Sequence, residues 1–200
     1  MKKILVSTLM IVMAMSTMYA QTAKQVLDKC AATVTAKDGV KADFTMTSAQ
    51  YGSTSGSIAV KGRMFNASTP QSSMWFDGKT LWTYMAKSGE VNVTTPNETQ
   101  LQVLNPYNFI NLYKKGFKYT MTQSGQAFNL HLTATDQKRK IRELFITVDK
   151  KTYQPSEVKM LQGSKWTTFT ISNLQATKLA DDTFMFNSKE FPSAEVIDLR

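Results

Sequence analysis

Few residues in this chain are of a type that does acid-base or covalent chemistry, and they are too sparse to cooperate. His131 is the only histidine among 200 residues and Cys30 the only cysteine. A two-histidine metal centre, a paired proton shuttle and an intramolecular disulfide are thereby excluded. His131 sits in Asn129-Leu130-His131-Leu132, a strand-like alternation that points it to solvent. Cys30 falls on the apolar stripe of a helix, where a small buried thiol packs rather than reacts. Asp181-Asp182 and Glu190 have no neighbour in sequence that would drive their acidities apart. Neither a G-x-S-x-G elbow nor a phosphate-binding glycine loop occurs. No catalytic residue, metal ligand or cofactor is expected, and the chain reads as a binding protein rather than an enzyme.

The amino terminus addresses the chain. Lys2 and Lys3 precede an uncharged run from Ile4 to Ala20, the layout of a secretory signal peptide cut after Ala20. The alternative is a retained anchor, although the run is of about minimal length for a bilayer and no basic residue follows it directly. Cys30 lies too far beyond that cut for lipid attachment. Residues 21–200 are then one exported domain, soluble in the periplasm, of a size that supports its own core. The net charge is +9 over the whole chain. Basic residues gather at Lys114-Lys115-Gly116-Phe117-Lys118 and Lys138-Arg139-Lys140-Ile141-Arg142, runs that suit an anionic membrane, an acidic partner or a solvated loop. Export argues against nucleic acid.

The elements follow from periodicity. Ala23, Val26, Leu27, Cys30, Ala31 and Val34 recur at helical spacing and predict a helix from Ala23 to Thr35. Val40 to Ser48 alternates as a first strand. Ser57 to Ala67 reads as a second strand in which Ile58, Val60 and Met64 share one phase and Lys61, Arg63 and Phe65 the other; either Gly62 is a bulge or one face mixes basic and apolar groups. Asp77-Gly78 supplies a two-residue hairpin reversal between Ser73-Met74-Trp75-Phe76 and Leu81-Trp82-Thr83-Tyr84-Met85. From Thr95 to Lys115, punctuated by Pro96 and Pro106, the pattern fits two short helices or a helix and a loop. Strands resume after Gly116 and continue to Leu174 with turns at hairpin spacing. Seven or more antiparallel strands with few helices predict a mainly β, strongly curved sheet whose concave face short helices cover. Such a face is either a packed core or an apolar cavity suited to acyl chains. Methionines such as Met46, Met74 and Met121 would give it an adaptable lining.

The order of these pieces resembles one family, the LolA family of periplasmic outer-membrane lipoprotein carriers, over nearly all of residues 21–200. The resemblance rests on Leu27-Asp28-Lys29 in the opening helix, Ala42-Asp43-Phe44-Thr45 in the first strand, and Gly56 to Phe65. It continues with Asp77-Gly78-Lys79-Thr80-Leu81-Trp82 followed by Tyr84, Asn105-Pro106-Tyr107 to Leu112, Asp182-Thr183-Phe184-Met185-Phe186, and Phe191-Pro192 through Val196-Ile197-Asp198. It implies an unclosed antiparallel β-barrel with helices over its opening and an apolar cavity. It also implies a function: taking the acyl chains of lipoproteins from an inner-membrane ABC-type release complex and delivering them to an outer-membrane acceptor, as a monomer. A lipid- or lipoprotein-sensing module of the same fold is the alternative. Val26, Leu27, Phe65, Met74, Trp82, Tyr107, Phe109 and Ile110 are expected to line or cover the cavity. Family members often carry Lys-Arg-Pro before the hairpin, the arginine closing the lid; here Lys61-Gly62-Arg63 lacks the proline, and Arg63, helped by Lys61, is expected in that role.

Overall fold

Apolar alternation interrupted by tight turns folds the chain into one largely antiparallel sheet, in which nine pairs of consecutive strands are neighbours. In a computed structural model, residues 21–50, 52–98, 100–101, 112–136 and 138–200 are described. A helix α1 (Ala23–Val34) leads into β1 (Val40–Ser48), β2 (Gly52–Lys61), β3 (Met64–Ser68), β4 (Ser72–Phe76), β5 (Leu81–Met85) and β6 (Glu90–Thr94). After the segment 97–115 come β7 (Phe117–Ser124), β8 (Ala127–Ala134), β9 (Ile141–Asp149), β10 (Pro155–Gln162), β11 (Lys165–Ala176) and β12 (Glu195–Asp198). The strands form one sheet in the order β12-β6-β5-β4-β3-β2-β1-β11-β10-β9-β8-β7. It ends in two free edges, so the barrel is unclosed as expected.

α1 begins at a capping box. The Thr22 hydroxyl accepts from Gln25 N while Gln25 Oε1 accepts from Thr22 N, satisfying two donors that the first helical turn leaves open. Val26, Leu27, Cys30, Ala31 and Val34 are all buried, in one core cluster with Phe65, Phe76 and Leu81 from one half of the sheet and Leu130, Leu144, Ile146 and Val158 from the other. Contact with both halves requires the sheet to curl around the helix. Burying Val26, Leu27 and Val34 contributes roughly 5–9 kcal/mol before entropy is subtracted.

Two turns differ from the sequence reading. Ser57 to Ala67 is two strands, because Gly62 (φ 59°) and Arg63 form a two-residue hairpin that pairs Lys61 with Met64 and Val60 with Phe65. The mixed faces of that stretch are the phase break of a reversal. The aromatic hairpin reverses one residue later than expected. Asp77 N donates to Thr80 O at 3.3 Å, leaving Gly78 (φ 101°) and Lys79 as the loop, and Asp77 Oδ1 accepts from Lys79 N and Thr80 N. The closing Val196-Ile197-Asp198 forms most of β12, the one parallel pairing, against β6.

The outer face of β4–β6 is apolar too, and the carboxy-terminal segment packs on it. Trp75 packs on Phe186 and Phe191 with ring centroids 5.5 and 5.4 Å apart, and Tyr84 on Phe191 at 4.7 Å. Phe184 is fully buried with Leu179 and Ala59. Lys61 Nζ donates to Leu179 O at 2.9 Å and to Asp181 at 2.8 Å, clamping the strap where it starts.

Close approach at Gly56 yields a test. A Cβ there would run into the Ser68 backbone carbonyl and the Phe44 ring. Gly56→Ala is expected to destabilise by about 2 kcal/mol or more, whereas Ser55→Ala, next to it and exposed, should stay within about 0.5 kcal/mol; urea denaturation of both reads the difference.

Candidate functional site

Parity along each strand decides what faces the helix. From the pairings Val60 with Phe65, Phe65 with Phe76 and Phe76 with Leu81, the concave face carries Phe65, Phe76, Met74 and Leu81. Along β1 and β11 it carries Phe44 opposite Ile171 and Met46 opposite Phe169. Core residues near α1 are sealed, but Phe44, Met46, Met74, Phe169 and Ile171 are only half buried. Phe44 and Phe169 lie 6.4 Å apart, and the Phe44 ring crosses Gly56, where the missing side chain leaves it room. The result is an apolar row along the middle of the concave face that α1 does not seal. Two hollows occur among the described residues on the opposite face, of about 270 and 490 Å³, with polar side chains such as Asn66 and Gln175, or Thr120 and Asn129, lining them.

Val26, Leu27 and Phe65 are fully buried on the concave side and Met74 is half buried there. Trp82 is a correction. It pairs directly with Trp75 and with Val93, on the outer face under the strap, so it does not line the concave interior. A residue one step from Leu81 in a strand must point the other way. Tyr107, Phe109 and Ile110 lie outside the described residues. At the ends of their segment, Leu101, Leu112 and Tyr113 are buried in the core cluster that α1 occupies.

The flanks of that segment are tethered. A helix starts at Glu98, capped reciprocally by Asn97 and Gln100 at 2.8 and 2.9 Å. The Arg63 guanidinium donates to Glu98 at 2.6 Å, so Arg63 reaches the beginning of the segment through a carboxylate rather than backbone carbonyls. Both side chains are mostly exposed. Lys61 is on the outer face and holds the strap instead, which corrects its expected role beside Arg63. At the other flank the Tyr113 hydroxyl donates to Asp28 at 2.6 Å. Lys24 and then Tyr113 hold the Asp28 carboxyl below the usual range, while burial, chiefly, and the same carboxylate push the Tyr113 phenol up. Lys29 donates to the Tyr153 hydroxyl at 3.1 Å and lies over its ring at 4.4 Å, fixing α1 to the β9–β10 turn. Sequence reasoning placed Asp28 and Lys29 in a motif without seeing these roles, because their partners lie 85 and 124 residues away.

The scarce chemical residues are structural. Cys30 is buried and its thiol is pushed up to about 12 by burial, so it stays protonated. His131 is on the outer face, stacked on Phe145 at 4.2 Å with Nε2 3.0 Å from Glu143. Among the described residues no cluster of His, Cys, Asp and Glu could hold a metal ion, and no helix is long and apolar enough to cross a membrane.

Known proteins share this architecture. A family model described as outer membrane lipoprotein carrier protein LolA matches residues 13–164. A solved structure of a conserved protein from Thermus thermophilus superposes with a TM-score of 0.59 at 10% identity, covering 89% of this chain and 99% of that one, and shares the fold. A LolA superfamily protein from Nitrosomonas europaea gives a TM-score of 0.46 at 12% identity over 84% and 99% of the two chains. The lipoprotein LppX from Mycobacterium tuberculosis gives 0.42 at 8% identity over 79% and 100%. Among curated proteins none matches this chain in sequence.

Two predictions follow from the tethers. Arg63→Ala should cost no more than about 1 kcal/mol of global stability, the ceiling for an exposed pair, yet speed amide exchange at Gln100 and Leu101. Asp28 has a lowered native pKa, so its pairing stabilises above the ordinary carboxylate value and is lost as pH falls through the native one, below about pH 4. Asp28→Asn should therefore be less stable at neutral pH, and its thermal midpoint should fall less steeply over that acid range than that of the wild type.

Proposed function

The chain belongs to the LolA family of outer membrane lipoprotein carrier proteins, and from that premise we propose that it is a periplasmic carrier that shelters lipoprotein acyl chains against its concave face. The observation that carries the reading is the half-buried row Phe44, Met46, Met74, Phe169 and Ile171, apolar surface held on the inside of a curved sheet rather than sealed by α1. An acyl chain leaving a membrane exposes surface at ~0.8 kcal/mol per CH₂, so transit through water needs such a shelter. Binding also has to be reversible. Methionine thioethers and rings in loose mutual contact adapt to a chain more readily than a close-packed core does.

In this proposal residues 1–20 are a cleaved signal peptide, and residues 21–200 belong to the carrier domain. Loading comes from an inner-membrane ABC-type release complex and unloading goes to an outer-membrane acceptor. Segment 97–113, including Tyr107, Phe109 and Ile110, covers the acyl chains, with Arg63 and Tyr113 steadying its ends. No step makes or breaks a covalent bond, which agrees with the absence of cooperating catalytic groups in the sequence.

The test is release of lipoprotein from inner-membrane vesicles carrying the cognate transporter, read as a soluble complex with the purified protein. Ile171→Asn and Phe169→Ser are expected to reduce the complex at least tenfold, while Trp82→Phe, under the strap, leaves it unchanged. No soluble complex with the wild type would refute the carrier. A lipid fluorophore bound by a protein that transfers nothing would point to a sensing module.

A further inference from the structure

Folding brings the two basic runs of the sequence to one corner of the sheet. Lys115 and Lys118 flank the start of β7; Lys138, Arg139, Lys140 and Arg142 form the β8–β9 turn and the start of β9; and Lys165 opens β11. Hydrogen bonds join these turns. Thr135 N and Oγ1 donate to Gly116 O at 3.0 and 3.2 Å, Gly163 N donates to Lys140 O at 3.4 Å, and Arg142 donates to the Gly163 carbonyl. The Arg139 guanidinium lies 5.2 Å from the centre of the Phe117 ring. Only Asp136 and Glu143 supply negative charge there. Asp136 accepts from the Lys138 amide and Glu143 lies beside His131, and with seven cations against two carboxylates the corner keeps a clear positive excess. All five lysines of the corner are exposed.

Aromatic groups stand beside this charge. On the outer face of the same corner Phe145 is 39% exposed, and Trp166 follows Lys165 with its ring 5.8 Å from Phe145 and under Lys159 at 4.7 Å. Lysines around partly exposed tryptophan and phenylalanine match a phospholipid interface, where cations meet phosphates and rings settle at headgroup depth. An acidic protein surface would use the cations and leave the rings unexplained.

We propose that this corner docks on anionic phospholipid membranes. Its purpose rests on the carrier reading: Phe169 in the apolar row is four residues along β11 from Lys165, about 13 Å in a strand, so docking brings the sheltering face close to the membrane that supplies acyl chains. The binding itself needs no lipoprotein.

Vesicle flotation tests it, using protein exported to the periplasm of an expression host and purified from there. Vesicles of phosphatidylglycerol with phosphatidylcholine are expected to carry the protein up at low salt and release it at high salt, while phosphatidylcholine alone does not bind it. Each cation removed should weaken binding about fivefold, so the triple variant Lys115→Gln, Lys138→Gln, Lys140→Gln should lose roughly a hundredfold. Far-ultraviolet circular dichroism checks that it is folded. Wild-type tryptophan emission should shift to the blue on binding, and Trp166→Phe should abolish the shift. Equal binding to both vesicle types, or unchanged binding by the triple variant, would overturn the proposal. So would a wild type that binds no vesicle, and if the triple variant also lost lipoprotein release, the corner would belong to an acidic protein surface. Release that survives without vesicle binding would remove this inference and leave the carrier standing.

Discussion

Everything in this fold is arranged around a short helix lodged inside a sheet. Twelve residues are too few to hold a helix in water without help, and a twelve-stranded sheet with apolar side chains on its inner face is not stable flat. Each solves the other's problem. The stripe of Val26, Leu27, Cys30, Ala31 and Val34 gives the sheet something to wrap, and wrapping brings β2–β5 and β8–β10 into a single core. Asp28 and Lys29, on the flanks of the stripe, then hold Tyr113 and Tyr153. The same turn of helix thus anchors the core, the chain just before β7 and the β9–β10 turn.

A second apolar surface, outside, makes the aromatic hairpin a structural device. Trp75, Trp82 and Tyr84 face away from the helix, and the chain returns after β11 to pack Phe186 and Phe191 on Trp75 and Tyr84, with Phe184 buried beside Ala59 and Leu179. The return begins at the point where Thr177 N donates to Gly39 O and Leu179 N to Asp38 O, and Lys61 pins it. The role of Lys61 is therefore to keep this layer shut, on the side of the sheet away from α1.

The strand pattern was legible in the sequence because period-two alternation survives wherever one face is buried. β1 runs from Val40 to Ser48 as the alternation indicates, and α1 ends one residue before the predicted boundary. Faces were harder. Met74 and Trp82 are an even number of residues apart, yet they point to opposite sides, because the hairpin pairs Phe76 with Leu81 and sets Trp75 opposite Trp82. Only the register reveals that, and the register depends on a turn one residue beyond Asp77-Gly78. At Gly62 a hairpin passed as a bulge since residues Lys61 and Arg63 on either side of the glycine carry no turn signal of their own. Of the candidate site, Phe65 shared its phase with Lys61 and Arg63 and was placed inside only by the family resemblance, whereas the buried anchors Val26 and Leu27 were readable from periodicity. The half-open row was not, for the difference between 0% exposure at Phe65 and partial exposure at Phe44 is set by which neighbours stop short.

The strap divides the sheet mechanically. Strands β3–β5 are covered on both faces, by core on one side and by the strap on the other, whereas among the described residues the outer face of β7–β10 bears threonine, asparagine, lysine and the His131–Phe145 stack with no strap above it. A laminated wall opposite a single-ply wall does not deform evenly. Were the concave space to widen, displacement would concentrate in the thin half, where bending breaks no strap packing on the outside, and the reinforced half would act as the fixed jaw. The free edge at β7 lies in that compliant half, so the gape is set at the edge of the sheet farthest from the strap.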